Sequence, residues 1–261
     1  MRTVLLGLCF ALVAATASAA ADGGLVKAGD FHNVHIRVPD PATAGEWYVK
    51  SLGATAGRAP QLIFFGKTLI EFIKDEGAKP SAGSVIDHIG LSYADLDEQM
   101  KVLSANGAKI VTPVRDVPGL FKLGFIEDPW GTKIEVVQDM EQLGFHHVHL
   151  SVPDPPSVLS WYQEAFGGER TKLKGRIDAL RYGGVWLLAA ASAAGEKPAG
   201  SAGRAIYNLA WTVPSVDDAV AALKAKGMKV IVEPRSLPTV RYAFVEDPNG
   251  ILIEFIQILK P

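Results

Sequence analysis

Short runs that alternate between hydrophobic and polar residues dominate this chain, and amphipathic stretches with helical spacing separate them. In the first unit the pattern predicts a strand, a helix and two further strands, over residues 33–38, 42–52, 62–65 and 68–73. In the next unit it predicts a strand, a helix and three strands, over residues 85–92, 96–106, 110–114, 124–127 and 133–137. We interpret both units as β-α-β-β-β modules.

The ends of two helices are also marked in the sequence. Asp95 and Ser215 each stand three positions before an acidic residue, a spacing typical of helix N-caps. Gly107 and Gly227 follow at places where a helix is expected to end. The helix predicted over residues 216–226 shows that the same order of elements returns near the end of the chain.

The chain contains an internal duplication. Residues 31–53 and 145–167 are identical at 11 of 23 aligned positions, and both copies contain Phe-His-x-Val-His-x-x-Val-Pro-Asp-Pro followed by Trp-Tyr. The motif Glu-Asp-Pro-x-Gly-x-x-Ile-Glu also occurs twice, at residues 127–135 and 246–254. Each half therefore contains two modules.

We predict an α+β fold in which four βαβββ modules pair into two domains with curved mixed sheets and helices on the outer faces. The first domain is predicted over residues 29–140 and the second over 143–260. Their modules are predicted over residues 29–76, 84–140, 143–190 and 204–260. Which modules share a sheet is left open by the pattern.

Residues 1–19 have the composition of a secretory signal peptide. Arg2 supplies the positive charge, residues 4–15 form the apolar segment, and Ala17-Ser18-Ala19 is a typical cleavage site. The apolar segment is too short to span a bilayer. We therefore expect no membrane anchor and an exported protein, periplasmic or extracellular after cleavage near Ala19.

Composition narrows the range of functions. Cleavage would remove Cys9, the one cysteine of the chain, so cysteine ligands and disulfides are excluded from the mature protein. It would also remove Arg2 and so take the formal net charge from −2 to −3. A near-neutral chain without a basic cluster is not expected to bind nucleic acid. We expect a small-molecule substrate or ligand instead.

Polar side chains occupy one equivalent position in the first strand of every module. Alternate residues of a strand share a face, so Asn33 lies beside His35 and Arg37, and His147 lies beside His149. The four equivalent positions hold Asn33, His88, His147 and Asn208. Each of these side chains is able to bind a metal or to form a hydrogen bond.

Three of the four closing strands place a single carboxylate among apolar residues, namely Glu71, Glu135 and Glu254. An ionised carboxylate on a half-buried strand needs a cation or several hydrogen bonds. Imidazole and carboxylate together suit a first-row divalent ion. Pairing of Glu71 with Arg37, or of Glu135 with Arg115, is the structural alternative.

Together, the histidine on the first strand, the turn Asp128-Pro129-Trp130-Gly131 and the following Ile134-Glu135 resemble the vicinal oxygen chelate superfamily. That group includes glyoxalase I, extradiol dioxygenases and bleomycin-binding proteins. The resemblance covers nearly all of the mature chain and implies two domains of this type. It also implies a cup of paired modules that holds one divalent ion (Mn, Zn, Ni or Fe) from first and last strands.

Carried over residue by residue, the resemblance implies a first-domain metal site of Asn33, Glu71, His88 and Glu135. Glu71 and Glu135 would be its catalytic residues. In the second domain it implies a candidate site of His147, Asn208, Glu254 and His149. The candidates for substrate contact are His35, Arg37 and Arg115.

Three functions follow from the resemblance. The first is a metal-dependent enzyme of isomerase or lyase type, which stabilises an oxyanion or enolate on a small oxygenated substrate. The second is a metal-free binding protein of the bleomycin-resistance type. The third is an extradiol-type dioxygenase with iron at His147 and Glu254. A homodimer is compatible with all three, since relatives pair modules within a chain or across a dimer.

Overall fold

The computed structural model describes residues 24–259, and the predicted signal peptide lies outside this range. The first module contains β1 (Phe31–Val38), α1 (Pro41–Leu52), β2 (Thr55–Ala56), β3 (Leu62–Phe65) and β4 (Thr68–Lys74). The second contains β5 (Ile86–Ser92), α2 (Leu96–Ala105), β6 (Lys109–Asp116), β7 (Lys122–Glu127) and β8 (Lys133–Gln138). The third contains β9 (Gly144–Val152), α3 (Pro155–Phe166), β10 (Glu169–Leu173), β11 (Ile177–Tyr182) and β12 (Val185–Ala191). The fourth contains β13 (Ile206–Thr212), α4 (Val216–Ala225), β14 (Lys229–Ser236), β15 (Val240–Glu246) and β16 (Leu252–Ile258).

The predicted α+β class and the repeated β-α-β-β-β module are confirmed. The short strand β2 was not predicted, because two residues are too few to show an alternating pattern. Helices α2 and α4 begin as expected, with the side chains of Asp95 and Ser215 accepting backbone hydrogen bonds from Glu98 and Asp218. No helix among residues 24–259 is long and apolar enough to cross a membrane.

The sixteen strands of the described residues form two eight-stranded mixed sheets, and each sheet takes one module from each half of the chain. In the 1–4 sheet the order is β14-β15-β16-β13-β1-β4-β3-β2, so the first and fourth modules are joined by the antiparallel pair of β1 and β13. In the 2–3 sheet the order is β10-β11-β12-β9-β5-β8-β7-β6, with β5 and β9 antiparallel at its centre. A single chain therefore completes both sheets.

The two central strand pairs have the same register. In the 1–4 sheet Asn33 lies opposite Ala210, and His35 lies opposite Asn208. In the 2–3 sheet His147 lies opposite Gly90, and His149 lies opposite His88. Positions in one sheet can therefore be matched to positions in the other, residue by residue.

The repeated Trp-Tyr pairs lie on helices and pack in the core, as the sequence suggested. Tyr48 and Tyr162 are fully buried, and each tyrosine hydroxyl donates a hydrogen bond to the aspartate of an Asp-Pro-x-Gly turn. In the first turn Asp128 also accepts hydrogen bonds from the backbone N–H groups of Trp130 and Thr132. These turns therefore have a structural role, since their aspartates connect a helix to the sheet through a buried hydrogen bond. Burying one aromatic side chain of this kind stabilises the fold by roughly 1.5–3 kcal/mol.

Candidate metal centre

Four ligand-type side chains converge on one face of the 2–3 sheet. They are His88 on β5, Glu135 on β8, and His147 and His149 on β9. One ligand atom from each residue lies within 4.8 Å of the other three. We call this group the imidazole cup.

Strand register explains why these residues meet. Gly90 on β5 is the register partner of Glu135 on β8 and of His147 on β9. His88 lies two residues before Gly90, on the same face of β5, and is the partner of His149. Because Gly90 has no side chain, the ring of His147 can lie over its backbone and reach Glu135.

Glu135 lies at the centre of the imidazole cup. Its Oε2 is 3.1 Å from Nε2 of His88 and 3.1 Å from Nε2 of His147. Nε2 of His88, the nitrogen that faces Glu135, also lies 3.2 Å from Nδ1 of His149. Three of these residues are buried, with only 4% of His88, 7% of Glu135 and 1% of His147 exposed.

The environment fixes the charge of these groups. Burial alone would raise the pKa of Glu135, but hydrogen bonds from His147 and His88 hold it well below its usual value. Burial lowers the pKa of His147, and burial beside His88 and His147 lowers the pKa of His149 much further. At neutral pH the cup therefore presents the carboxylate of Glu135 and the neutral imidazoles of His147 and His149. Burial lowers the pKa of His88, but hydrogen bonds to Asp87 and Glu135 raise it more, so a metal ion that binds here displaces the proton of His88.

Further residues orient two of the imidazoles. Nδ1 of His88 lies 2.7 Å from Oδ2 of Asp87, which also accepts a hydrogen bond from Lys133 at 2.6 Å. The pKa of Asp87 falls to about 2, since these two partners outweigh the effect of its burial. A carboxylate behind a histidine ligand is the arrangement by which proteins fix the tautomer of a metal-binding imidazole.

His147 is supported in a similar way. Its Nδ1 lies 2.8 Å from Nδ1 of His146, whose Nε2 lies 3.3 Å from Oδ2 of Asp139. Lys174 in turn donates to Asp139 at 2.8 Å. His146 is fully buried, and its place behind His147 was not predicted from the sequence.

The residues present fit a metal ion. Nε2 of His149 is buried and forms no hydrogen bond with the described residues. Leaving such a nitrogen without a partner costs about 1–3 kcal/mol unless a ligand uses it. Two or three imidazoles with one carboxylate match the preferences of Zn, Fe, Ni or Mn.

The 1–4 sheet carries the matching set of residues, which we call the amide cup. Five positions correspond between the two cups. With the residue of the amide cup named first, the pairs are Asn33 and His147, Asn208 and His88, His35 and His149, Glu254 and Glu135, and Glu71 and Leu188. Both amides donate to Oε2 of Glu254, from Asn33 at 3.3 Å and from Asn208 at 3.1 Å. His35 lies 3.4 Å from Glu71 and 3.5 Å from Glu254.

The predicted ligand sets are therefore wrong in their grouping. Asn33 and Glu71 do not join His88 and Glu135, and His147 and His149 do not join Asn208 and Glu254. The reason is that β1 pairs with β13, and β5 with β9, so each sheet collects residues from both halves. One sheet therefore collects most of the imidazoles, and the other collects the amides. This difference depends on which strands pair, and the sequence pattern left that pairing open.

The two arginines proposed for substrate contact lie outside both clusters. Arg37 forms a 2.6 Å ion pair with Asp75, and its guanidinium stacks 3.7 Å from the centre of the Tyr207 ring. Arg115 is exposed on β6, where it lies opposite Leu123. His35, the third candidate, lies at the floor of the amide cup.

Comparison with known proteins agrees with this architecture. The sequence model of the Glyoxalase/Bleomycin resistance protein/Dioxygenase superfamily matches residues 30–136 and 144–255. Glyoxalase I from Zea mays is similar in structure, with a TM-score of 0.71 and 21% identity over 88% of this chain and 92% of that chain. A Bacillus subtilis protein with a provisional dioxygenase assignment has a TM-score of 0.66 and 17% identity over 90% of this chain and 87% of that chain. At these identities the likeness is one of fold, and no curated protein sequence matches the chain.

Proposed function

Because the chain belongs to the Glyoxalase/Bleomycin resistance protein/Dioxygenase superfamily, we propose that it is a divalent-metal enzyme that acts on a small oxygenated substrate. His88, His147 and Glu135 would hold the ion. One observation carries the proposal: two imidazoles and one carboxylate, all buried, converge from three strands on one point. The amide cup has no such set, since asparagines replace both histidines.

The donor set favours a dioxygenase-type reaction. Two histidines and one carboxylate with open positions are the arrangement typical of non-haem Fe(II) oxygenases. Leu188 stands where the amide cup has Glu71, so the imidazole cup lacks the second glutamate that suits an isomerase or lyase. When bound, the ion would supply the Lewis acidity and redox chemistry for the reaction of the substrate with dioxygen.

The chain's own residues would prepare the substrate. Glu135 is ionised and neutralises part of the charge of a cation in a site from which water is largely excluded. His149 is neutral at pH 7, and its Nε2 has no hydrogen-bond partner among the described residues, so this atom would accept a hydrogen bond from a substrate hydroxyl. The ring of Phe125, 5.2 Å from that of His88, covers one side of the site.

An isomerase or lyase is the second candidate, and His149 is the observation that favours it. A neutral imidazole beside a metal site can move a proton next to a carbonyl group without any oxidation. The two candidates differ in one measurable respect, because the dioxygenase consumes O₂ and places both of its atoms in the product. The isomerase or lyase consumes none.

Metal analysis followed by oxygen uptake tests the proposal. We expect about one Fe, Mn, Zn or Ni per chain in protein purified without chelator. His88→Ala should lose the ion, whereas the matched variant Asn208→Ala should retain it. Protein loaded anaerobically with Fe(II) should then consume O₂ with catechol or 4-methylcatechol, and Glu135→Gln should not. A wild-type protein that binds none of these ions would overturn the proposal, and metal retention without O₂ uptake would favour the isomerase or lyase.

We also propose that the protein is exported. The proposal rests on the signal-peptide pattern of residues 1–19. Expression of the full chain in a Gram-negative host, followed by N-terminal sequencing of the periplasmic fraction, should give a mature protein that begins at Ala20. Full-length protein confined to the cytoplasm would contradict it.

A further inference from the structure

The amide cup opens into a cavity of about 1060 Å³ on the 1–4 sheet. This volume suits an organic molecule of about the size of a drug. Residues of the first and fourth modules line it, including the four cup residues Asn33, His35, Glu71 and Glu254. The cavity is therefore separate from the imidazole cup, and the inference drawn from it does not rest on the proposed enzyme function.

The floor of this cavity is organised by hydrogen bonds. Oδ1 of Asn33 lies 2.6 Å from Nδ1 of His32, so its Nδ2 faces Glu254 and donates to it. Asn208 donates to the same carboxylate oxygen. Both amides thus direct an N–H group at the carboxylate, where the imidazole cup directs imidazole nitrogens at it, and an amide is a weaker ligand than an imidazole for a first-row divalent ion.

The floor holds more acidic groups than basic ones. His35 is the single imidazole between the carboxyl groups of Glu71 and Glu254, at 3.4 Å and 3.5 Å, so one imidazole faces two acidic side chains. Glu71 is the accessible member of the group, since 34% of its side chain is exposed, against 8% for Glu254. Arg58 lies at the exposed rim, where water screens its charge.

The walls of the cavity are apolar and partly aromatic. Phe64 and Leu69 line it from the first module, and Tyr242 and Phe244 line it from the fourth, with ring centres 6.1 Å apart. At the mouth Leu237 and Ile258 are large apolar residues that remain 55% and 59% exposed. Aromatic faces attract organic cations, and exposed apolar residues at a mouth gain from being covered by a ligand.

We propose that the amide cup is a second, metal-free binding site for an arylalkylamine in its cationic form. The ammonium group would be held by Glu71 at the floor, and the ring would lie between Phe64 and Phe244. The feature that selects this class of ligand is the combination of a partly exposed carboxylate with aromatic walls. An anionic ligand would be repelled by the carboxylates, and a neutral ligand would gain no charge attraction from Glu71.

Three indole compounds of similar shape test the charge preference. Tryptamine is a cation at neutral pH, indole-3-propionate an anion, and 3-ethylindole is uncharged. Isothermal titration calorimetry on the full mature chain should show one equivalent of tryptamine bound, at least about tenfold more tightly than either of the others. Equal or tighter binding of the anion or the neutral compound, or no binding of tryptamine, would overturn the proposal.

Variants locate the site. Glu71→Gln keeps the shape of a partly exposed side chain and should weaken tryptamine binding about tenfold, and Phe64→Leu should also weaken it. His88→Ala changes the imidazole cup and should leave tryptamine binding unchanged. Loss of binding in His88→Ala, or unchanged binding in Glu71→Gln, would place the amine elsewhere. Retention of Mn²⁺ by His88→Ala would show that the amide cup is a metal site and would contradict the inference.

Discussion

The ring of His147 lies so close to the backbone of Gly90 that a Cβ atom at position 90 would stand 2.1 Å from Cε1 of His147. Real Cβ atoms do not approach other atoms so closely, so any other residue at this position must push the ring away. In the amide cup the equivalent of Gly90 is Ala210, which lies opposite the smaller Asn33. Glycine is thus needed at position 90 to make room for the imidazole ring of His147, whereas the pairing of the strands does not require it.

Gly90→Ala should therefore lower metal affinity at least about tenfold while leaving the sheet folded. The displaced His147 would no longer reach Glu135. Metal titration by inductively coupled plasma mass spectrometry, with circular dichroism to check the fold, measures both effects. Ala210→Gly is the matched control and should retain the ion. Full metal retention by Gly90→Ala would show that His147 is not a ligand.

The aspartate behind His88 should tune metal affinity without binding the ion. Asp87→Asn removes the charge that orients Nδ1 of His88, and we expect affinity to fall about 10- to 100-fold. Competition with a fluorescent chelator measures the change. Asp75→Asn alters the ion pair of Arg37 instead and should leave affinity as it is. Equal losses of metal affinity in the two variants would indicate general destabilisation of the fold, and would contradict the view that Asp87 orients His88.

Tyr48→Phe should lower the free energy of unfolding by about 1–3 kcal/mol, because it leaves the buried Asp128 with one hydrogen bond fewer. Urea denaturation followed by tryptophan fluorescence measures this difference. Tyr207→Phe is a suitable control, since its half-buried ring stays beneath Arg37. A neutral Tyr48→Phe would show that the turn does not depend on the tyrosine hydroxyl.

The pair of His35 and Glu71 should make stability depend on pH. Burial lowers the pKa of His35, but Glu71 and Glu254 raise it more, so the pKa lies above the value of 6.5 despite an opposing effect of Arg37. The folded state therefore binds this proton more tightly than the unfolded state. Its contribution is fully present below about pH 6.5 and is lost as pH rises through the higher pKa of the folded protein.

At the acid end, the hydrogen bond from His35 lowers the pKa of Glu71, so the contribution of Glu71 is present above about pH 4.5 and is lost as pH falls through its folded pKa. Urea midpoints of the wild type and of His35→Gln should therefore differ most between these limits and converge as pH rises above the folded pKa of His35. A difference that grows with pH would contradict the assignment.

The sequence allowed the modules and the chemistry of their strands to be predicted, because both depend on local pattern. Alternation placed Asn33, His88, His147 and Asn208 at one position of the fold, and the structure has them at matching places in β1, β5, β9 and β13. The closing-strand glutamates followed from the same reasoning. These are properties of single strands, which short-range physics determines.

The composition of each cup could not be predicted, because it depends on which first strands pair. All four modules present similar edges, and nothing in the residues of β1 selects β13 over β5. Two signals were nevertheless present in the sequence. The first is the difference between Gly90, which leaves room for the ring of His147, and Ala210, which lies opposite the smaller Asn33. The second is the number of histidines, since positions 88, 147 and 149 all hold histidine, whereas only one of the matching positions 208, 33 and 35 does.

The nested pairing of modules has a consequence for the order in which the protein folds. The 2–3 sheet is made from one continuous stretch of chain, so its strands can pair before the fourth module is available. Strand β1 must wait for β13, which is synthesised long afterwards, and contacts of such large sequence separation form slowly. We expect the imidazole cup to be assembled first, while the strand that carries Asn33 and His35 still has an open edge.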